Sequence, residues 1–281
     1  MTLSIRNLFF KIGIFFCALV LLLTLVASFL TISNSTEIQE LLFGDNCRRP
    51  SFIFNVLTGS FLGNSYLAVH VVLILTSLFS FVAMLLIHSF FERTITSELL
   101  FITFFTVSIS FEVFRLFLPL QLLLNFPFYY LRYSARVLLF ARFFGIFSLF
   151  TAGLYAAGLD GQKNRYAVFI LVVTALIIPI GVPIDAHLSH TNFNLIHGNV
   201  LMFRMIEIIV FIITIISFFI AAKIRSSKEY VSTAVGVMLA LIGRYILLST
   251  DNWIGAVQGI LLLSFGTHYL CSKVHKIHLW L

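Results

Sequence analysis

Charge is what this chain has least of. Only 10% of its 281 residues are Asp, Glu, Lys or Arg and 60% are hydrophobic, where a soluble globular domain carries roughly 25% charged residues. With a mean hydropathy of +1.06, that scarcity excludes an ordinary water-soluble domain. Proline and glycine are also few, 5 and 15, against 33 phenylalanines. Large apolar side chains with few interruptions suit long continuous helices rather than the alternating strands of a barrel. The three cysteines are Cys17 in the first apolar run, Cys47 in the loop after it and Cys271 near the C-terminus, so neither a disulfide framework nor a cysteine metal site is expected. His-Glu-x-x-His, Gly-x-Ser-x-Gly and the P-loop are absent as well, and no cofactor is implied.

Apolar runs of about 20 residues occur at Ile12 to Thr31, Tyr66 to His88, Leu99 to Leu124, Ser134 to Leu159, Tyr166 to Val182, Val200 to Ala222, Tyr230 to Leu248 and Trp253 to Cys271. The expected fold is therefore all-α: one polytopic domain over 1–281, a bundle of about eight transmembrane helices. The formal charge of +7 fits retention of basic loops on the cytoplasmic side better than nucleic-acid binding. Arg6, Lys11, Arg93, Lys163, Arg165, Lys223, Arg225, Lys228, Lys273 and Lys276 fall on one side of the alternating connections, and Arg48, Arg49 and Arg132 on the other. Ten against three places both termini inside, in a multi-pass protein of the cell (inner) membrane. Arg6 and Lys11 precede an apolar run longer than a signal-peptide core of about 7–15 residues, which predicts a retained first helix; cleavage near Ala27 or Ser28 would leave seven spans. The loop of 34–65 is too short for an ordinary folded domain and is expected to hold a short helix from Thr36 to Leu42. Asn34-Ser35-Thr36 matches a glycosylation sequon. No soluble output domain is visible.

Against this background, Arg115, Arg136, Arg142, Arg204 and Arg244 with Glu112 and Glu207 lie inside apolar stretches, where an unpaired charge is costly. With both termini inside, all of them fall in the outer half, as does His70. Glu112 and Arg115 are three apart and share a helix face; Arg204 and Glu207 repeat the spacing in reverse order on a helix running the other way. Arg244 and Asp251, seven apart, share another face. Glu112, Arg115, Arg136, Arg204, Glu207 and Arg244 are therefore the candidate ligand-binding set. Arg142, six residues from Arg136 and off its face, is left as a snorkelling side chain. Five Arg against two Glu leave a positive surplus that is hard to bury without a counter-ion. Guanidinium groups bind carboxylate and phosphate in forked geometry, so an anionic small molecule or lipid headgroup arriving from outside is the expected partner. Ion pairs that merely fix helix packing are the bland alternative.

The loop of 183–199 carries Asp185, His187, His190 and His197, but Pro183 and the polar run predict a loop and the spacing matches no zinc pattern. Ala141, Gly145, Ser148, Ala152 and Ala156 on the fourth span, with Gly255 and Gly259 on the eighth, read as packing faces. A helix before seven others invites comparison with seven-helix receptors, yet Asp-Arg-Tyr and Asn-Pro-x-x-Tyr are missing. A bacterial seven-helix sensor module is similar in layout only, having the sensor and signalling domains this chain lacks. Three functions remain: a binding, sensory or accessory subunit working with a protein partner; a membrane enzyme on an anionic lipid with Glu112 or Glu207 as general base; and a transporter component. The one-sided charged layer, unlike the duplicated site of an inverted repeat, favours the first.

Overall fold

The computed structural model describes residues 3–34, 65–91, 97–159, 164–189, 192–198 and 200–279. The expected helix at Thr36 to Leu42, Cys47, Arg48, Arg49, Arg93, Lys163 and His190 lie outside those residues, as does the sequon beyond Asn34. The chain forms helices α1 (Leu3–Ser33), α2 (Tyr66–Phe91), α3 (Ser97–Leu124), α4 (Phe128–Ala156) and α5 (Asn164–Ile180). A short hairpin, β1 (Ile184–Ser189) and β2 (Leu195–His197), comes next, and α6 (Val200–Ile224), α7 (Lys228–Ser249) and α8 (Trp253–Leu279) complete the chain. Seven of these helices are long and apolar enough to cross a membrane. The other, α5, has 17 residues with Pro179 near its end, about 26 Å at 1.5 Å per residue against a hydrocarbon core of ~30 Å.

The architecture follows from which helices have small or polar faces. The most enclosed is α3, and its Thr103, Thr106, Ser108 and Ser110 hydroxyls each donate to the carbonyl three residues back, at 2.6, 2.8, 2.7 and 2.7 Å. A buried hydroxyl satisfied this way costs little and leaves a slim helix surface. The main partner of α3 is α4, with α2 and α1 also packed on it; α5 and α6 pack on α4, α7 packs on α8 and α6, and α8 also meets α2. The small stripe on α4 is buried throughout, at Ala141, Gly145, Ser148, Ala152 and Ala156. The closest pairing is α7 on α8: a Cβ on Gly236 would stand 2.9 Å from the Leu270 amide nitrogen, and one on Gly243 would stand 2.9 Å from the Gly259 carbonyl. Of the two α8 glycines expected to pack, only Gly259 meets α7, while Gly255 fits against Thr250 and Asn252 in the preceding turn.

The outer surfaces of α1, α5 and α6 show bare apolar side chains, including Phe15, Phe29, Phe169, Ile177, Leu201 and Ile212. In water a patch of that extent would drive association, whereas in lipid it is the ordinary contact surface of a spanning helix.

Candidate functional site

The charged layer is built on a local departure from α-geometry. Between Ser110 and Phe117, α3 tightens into a 3-10 segment, Phe111–Leu116, just before Pro119. Proline has no N–H for the carbonyl four residues back and crowds it, and here that carbonyl belongs to Arg115. In a 3-10 turn residues three apart eclipse, so Glu112 and Arg115 stand directly in line, 4% and 2% exposed. Their closest approach is 3.8 Å.

The main partner of Glu112 is Arg142 of α4. Its Nε donates to one carboxylate oxygen at 3.0 Å and its Nη2 to the other at 2.8 Å, the forked arrangement that makes Arg–carboxylate pairs strong. Arg244 of α7, 4% exposed, donates from Nη2 to the Arg142 backbone carbonyl at 2.8 Å, and its guanidinium lies 5.8 Å from the centre of the Phe105 ring, within cation–π range. Its Nη1 has no hydrogen-bond partner among the described residues. Gly145 makes room here, since a Cβ would collide with Ser108 and stand 3.4 Å from that Nη1. One carboxylate thus lies within ion-pair distance of two arginines, with a third arginine beside them. Glu207 acts electrostatically on Arg142 and Arg244 at longer range, and Asp251 on Arg115.

The hairpin covers the cluster at one end of the bundle. The Asn192 carbonyl accepts from both Nε and Nη2 of Arg115, and Asn194 Oδ1 accepts from Arg142 Nη2 at 2.8 Å. Both asparagine amides turn the other way and donate to the Leu248 carbonyl at the end of α7, each at 3.3 Å. Between them Phe193 takes a left-handed backbone, φ 63°, and packs edge-on against Tyr66 and His70 of α2. His70 itself bridges the Tyr66 carbonyl and the Thr31 hydroxyl, at 3.0 and 2.8 Å, and so serves as a buried structural tie. The segment expected to be an irregular loop is a strap because its asparagines satisfy arginines and a helix end at once. Asp185, His187 and His197 lie on its strands, and no cluster of three metal-binding side chains occurs among the described residues.

Beside the cluster, a groove of about 350 Å³ runs between α6 and α7 and touches α4. Arg204, Glu207 and Arg244 line it together with Ile146, Ile208, Phe211, Leu241 and Tyr245. The six candidate residues therefore divide. Glu112, Arg115 and Arg244 meet in the cluster. Arg204, exposed, and Glu207, half-buried, join Arg244 only through the groove. Arg136 stands about 9 Å up α4 from Arg142, half-buried, its Nε unpartnered among the described residues, and it belongs to neither group. Spacing along α4 does not reveal that Arg142 is central, because its partner is on another helix.

A second buried carboxylate, Glu98, carries no signal in the apolar runs. Glu98, at the start of α3, accepts from the Tyr230 hydroxyl at 3.3 Å and lies 3.9 Å from Arg225, whose guanidinium sits over the Tyr230 ring. It lies just outside the apolar run that defines the span, so a window on hydropathy passes it by.

Fold and site together define a protein that is helical apart from one short hairpin, with several helices fit to span a bilayer, and that encloses an arginine–carboxylate cluster under an asparagine strap. In comparisons with known proteins, no family model and no curated protein matches this chain.

Proposed function

We propose that this protein crosses the cell (inner) membrane eight times, with both termini cytoplasmic, and acts as a binding, sensory or accessory subunit that holds an oxyanion, phosphate or carboxylate, in its outer half. The observation that carries this reading is the groove that Arg204 of α6 and Arg244 of α7 both line, against the single carboxylate of Glu207. Guanidinium donors facing a partly apolar cavity form the usual recognition set for such a group. The ten-to-three distribution of basic residues supports the orientation, with α5 as a short, tilted or membrane-thinning crossing.

Turnover by Glu112 is the less favoured alternative, since its carboxylate is 4% exposed, held by Arg142 through both oxygens and not part of the groove lining, whereas a general base must reach the proton it takes. The proposal is tested on the purified full chain by ligand-induced thermal stabilisation with oleate, dioleoylphosphatidylglycerol and inorganic phosphate. Stabilisation by at least one anion, lost in Arg204→Leu, is expected. No response to any of the three sinks the proposal. Reporters placed after Leu281 and within the segment 185–191 should report opposite sides.

A further inference from the structure

We infer that the occupant of the α6–α7 groove is an anionic lipid of the outer leaflet, which slides in sideways with its headgroup at Arg204 and Arg244 and an acyl chain laid inward over Ile208, Phe211 and Leu241. This inference rests on the oxyanion reading and names its ligand class. The outward approach to the cluster is occupied: Asn192, Phe193 and Asn194 tie α2, α3, α4 and α7 together above it. The groove instead opens through Ile208 and Tyr245, 46% and 50% exposed, on the same bare apolar face as Leu201, Met205 and Ile212. A face of that composition meets lipid, so whatever enters there arrives from the bilayer.

Polarity along the groove matches an amphiphile. On α6, Arg204 is four residues from the outer end and Phe211 seven residues deeper, about 10 Å at 1.5 Å per residue. On α7, Arg244 is five residues below Ser249, with Leu241 a turn further in. Charge therefore lies at headgroup depth and apolar walls lie beneath it, the order in which a lipid of that leaflet presents itself. A small free anion would gain from the arginines but nothing from the apolar half. A zwitterionic lipid would bring a cation next to two guanidiniums. The lone carboxylate of Glu207 leaves the groove positive, so the headgroup it suits carries net negative charge.

The test is native mass spectrometry and thermal shift on the intact detergent-solubilised chain with three probes: dioleoylphosphatidylglycerol, dioleoylphosphatidylcholine and glycerol phosphate. The glycerol lipid is expected to be retained at least tenfold better than the choline lipid, and glycerol phosphate is expected to give no shift. Arg204→Leu, at an exposed site, should lower retention at least fivefold. Ile208→Trp, on the exposed rim, should do the same by filling the chain's path while leaving the unliganded melting temperature unchanged. Equal retention of both lipids would mean that the groove is ordinary lipid contact surface, overturning the inference. Glycerol phosphate binding as well as the lipid would keep the oxyanion reading and overturn the lateral route. Silence from all three probes would remove both.

Discussion

Removing the carboxylate of Glu112 should be among the most damaging single changes in the chain, by an amount that follows from its bonding. Arg142 would lose two charge-assisted hydrogen bonds, at 3.0 and 2.8 Å, and keep only its bond to Asn194. Arg115 would lose its ion pair but retain the Asn192 carbonyl. Breaking a buried pair from one side costs about 3–5 kcal/mol, because the remaining charge stays buried. Glu112→Gln, which preserves shape and one acceptor, should fall near 3 kcal/mol, and Glu112→Ala near 5 kcal/mol. At roughly 2–4 °C per kcal/mol for a chain of this order of size, Tm should fall by about 6–20 °C. The assay is a thermal melt of purified protein in one detergent, with the double variant Glu112→Leu/Arg142→Met alongside. Replacing both members by apolar groups is often near neutral, so the double variant should recover most of the loss. A Glu112→Gln melting temperature equal to that of the parent would refute the reasoning. A double variant whose loss equals the sum of the two single losses would refute it as well, since contacting residues must couple.

Three other outcomes are expected. Gly243→Ala places a methyl group against the α8 backbone and should cost about 1–3 kcal/mol, whereas Gly181→Ala, with open space around it, should leave the melting temperature unchanged; equal melting temperatures for the two would count against the close α7–α8 packing. Phe193→Ala removes a ring buried against Tyr66 and His70 and should cost about 3–5 kcal/mol, and hydrogen exchange should quicken at Asn192 and Asn194 before it does in α3. Uniform exchange across the strap and α3 would mean that the hairpin is not a separate fastening. Glu98→Gln should lower stability by about 1–3 kcal/mol, while Arg132→Gln, at an exposed position on α4, should stay within about 0.5 kcal/mol; a neutral Glu98→Gln in the same melt would show that the Tyr230–Arg225 contacts contribute nothing.

Hydropathy along the sequence determined where each helix lies, because the cost of an exposed backbone in lipid leaves a long apolar run no alternative to a helix, but not every end: α1 begins at Leu3 rather than Ile12, α4 at Phe128 rather than Ser134, and α8 runs on to Leu279 rather than Cys271. Local spacing also determined that Glu112 and Arg115 share a face, since residues three apart are neighbours on any helical turn. It went no further. Arg142, set aside because it does not align with Arg136, proved to be the forked partner of Glu112. Arg136, included in the candidate set, stands apart. Periodicity describes each helix about its own axis and carries no information on how one helix is rotated against the next. The same blindness hid the strap, in which asparagines with no hydropathy signal satisfy Arg115, Arg142 and the end of α7. Only the packed structure decided which side of the arginine layer is covered and which opens toward the apolar surface, because that depends on side chains brought together from segments as far as 102 residues apart.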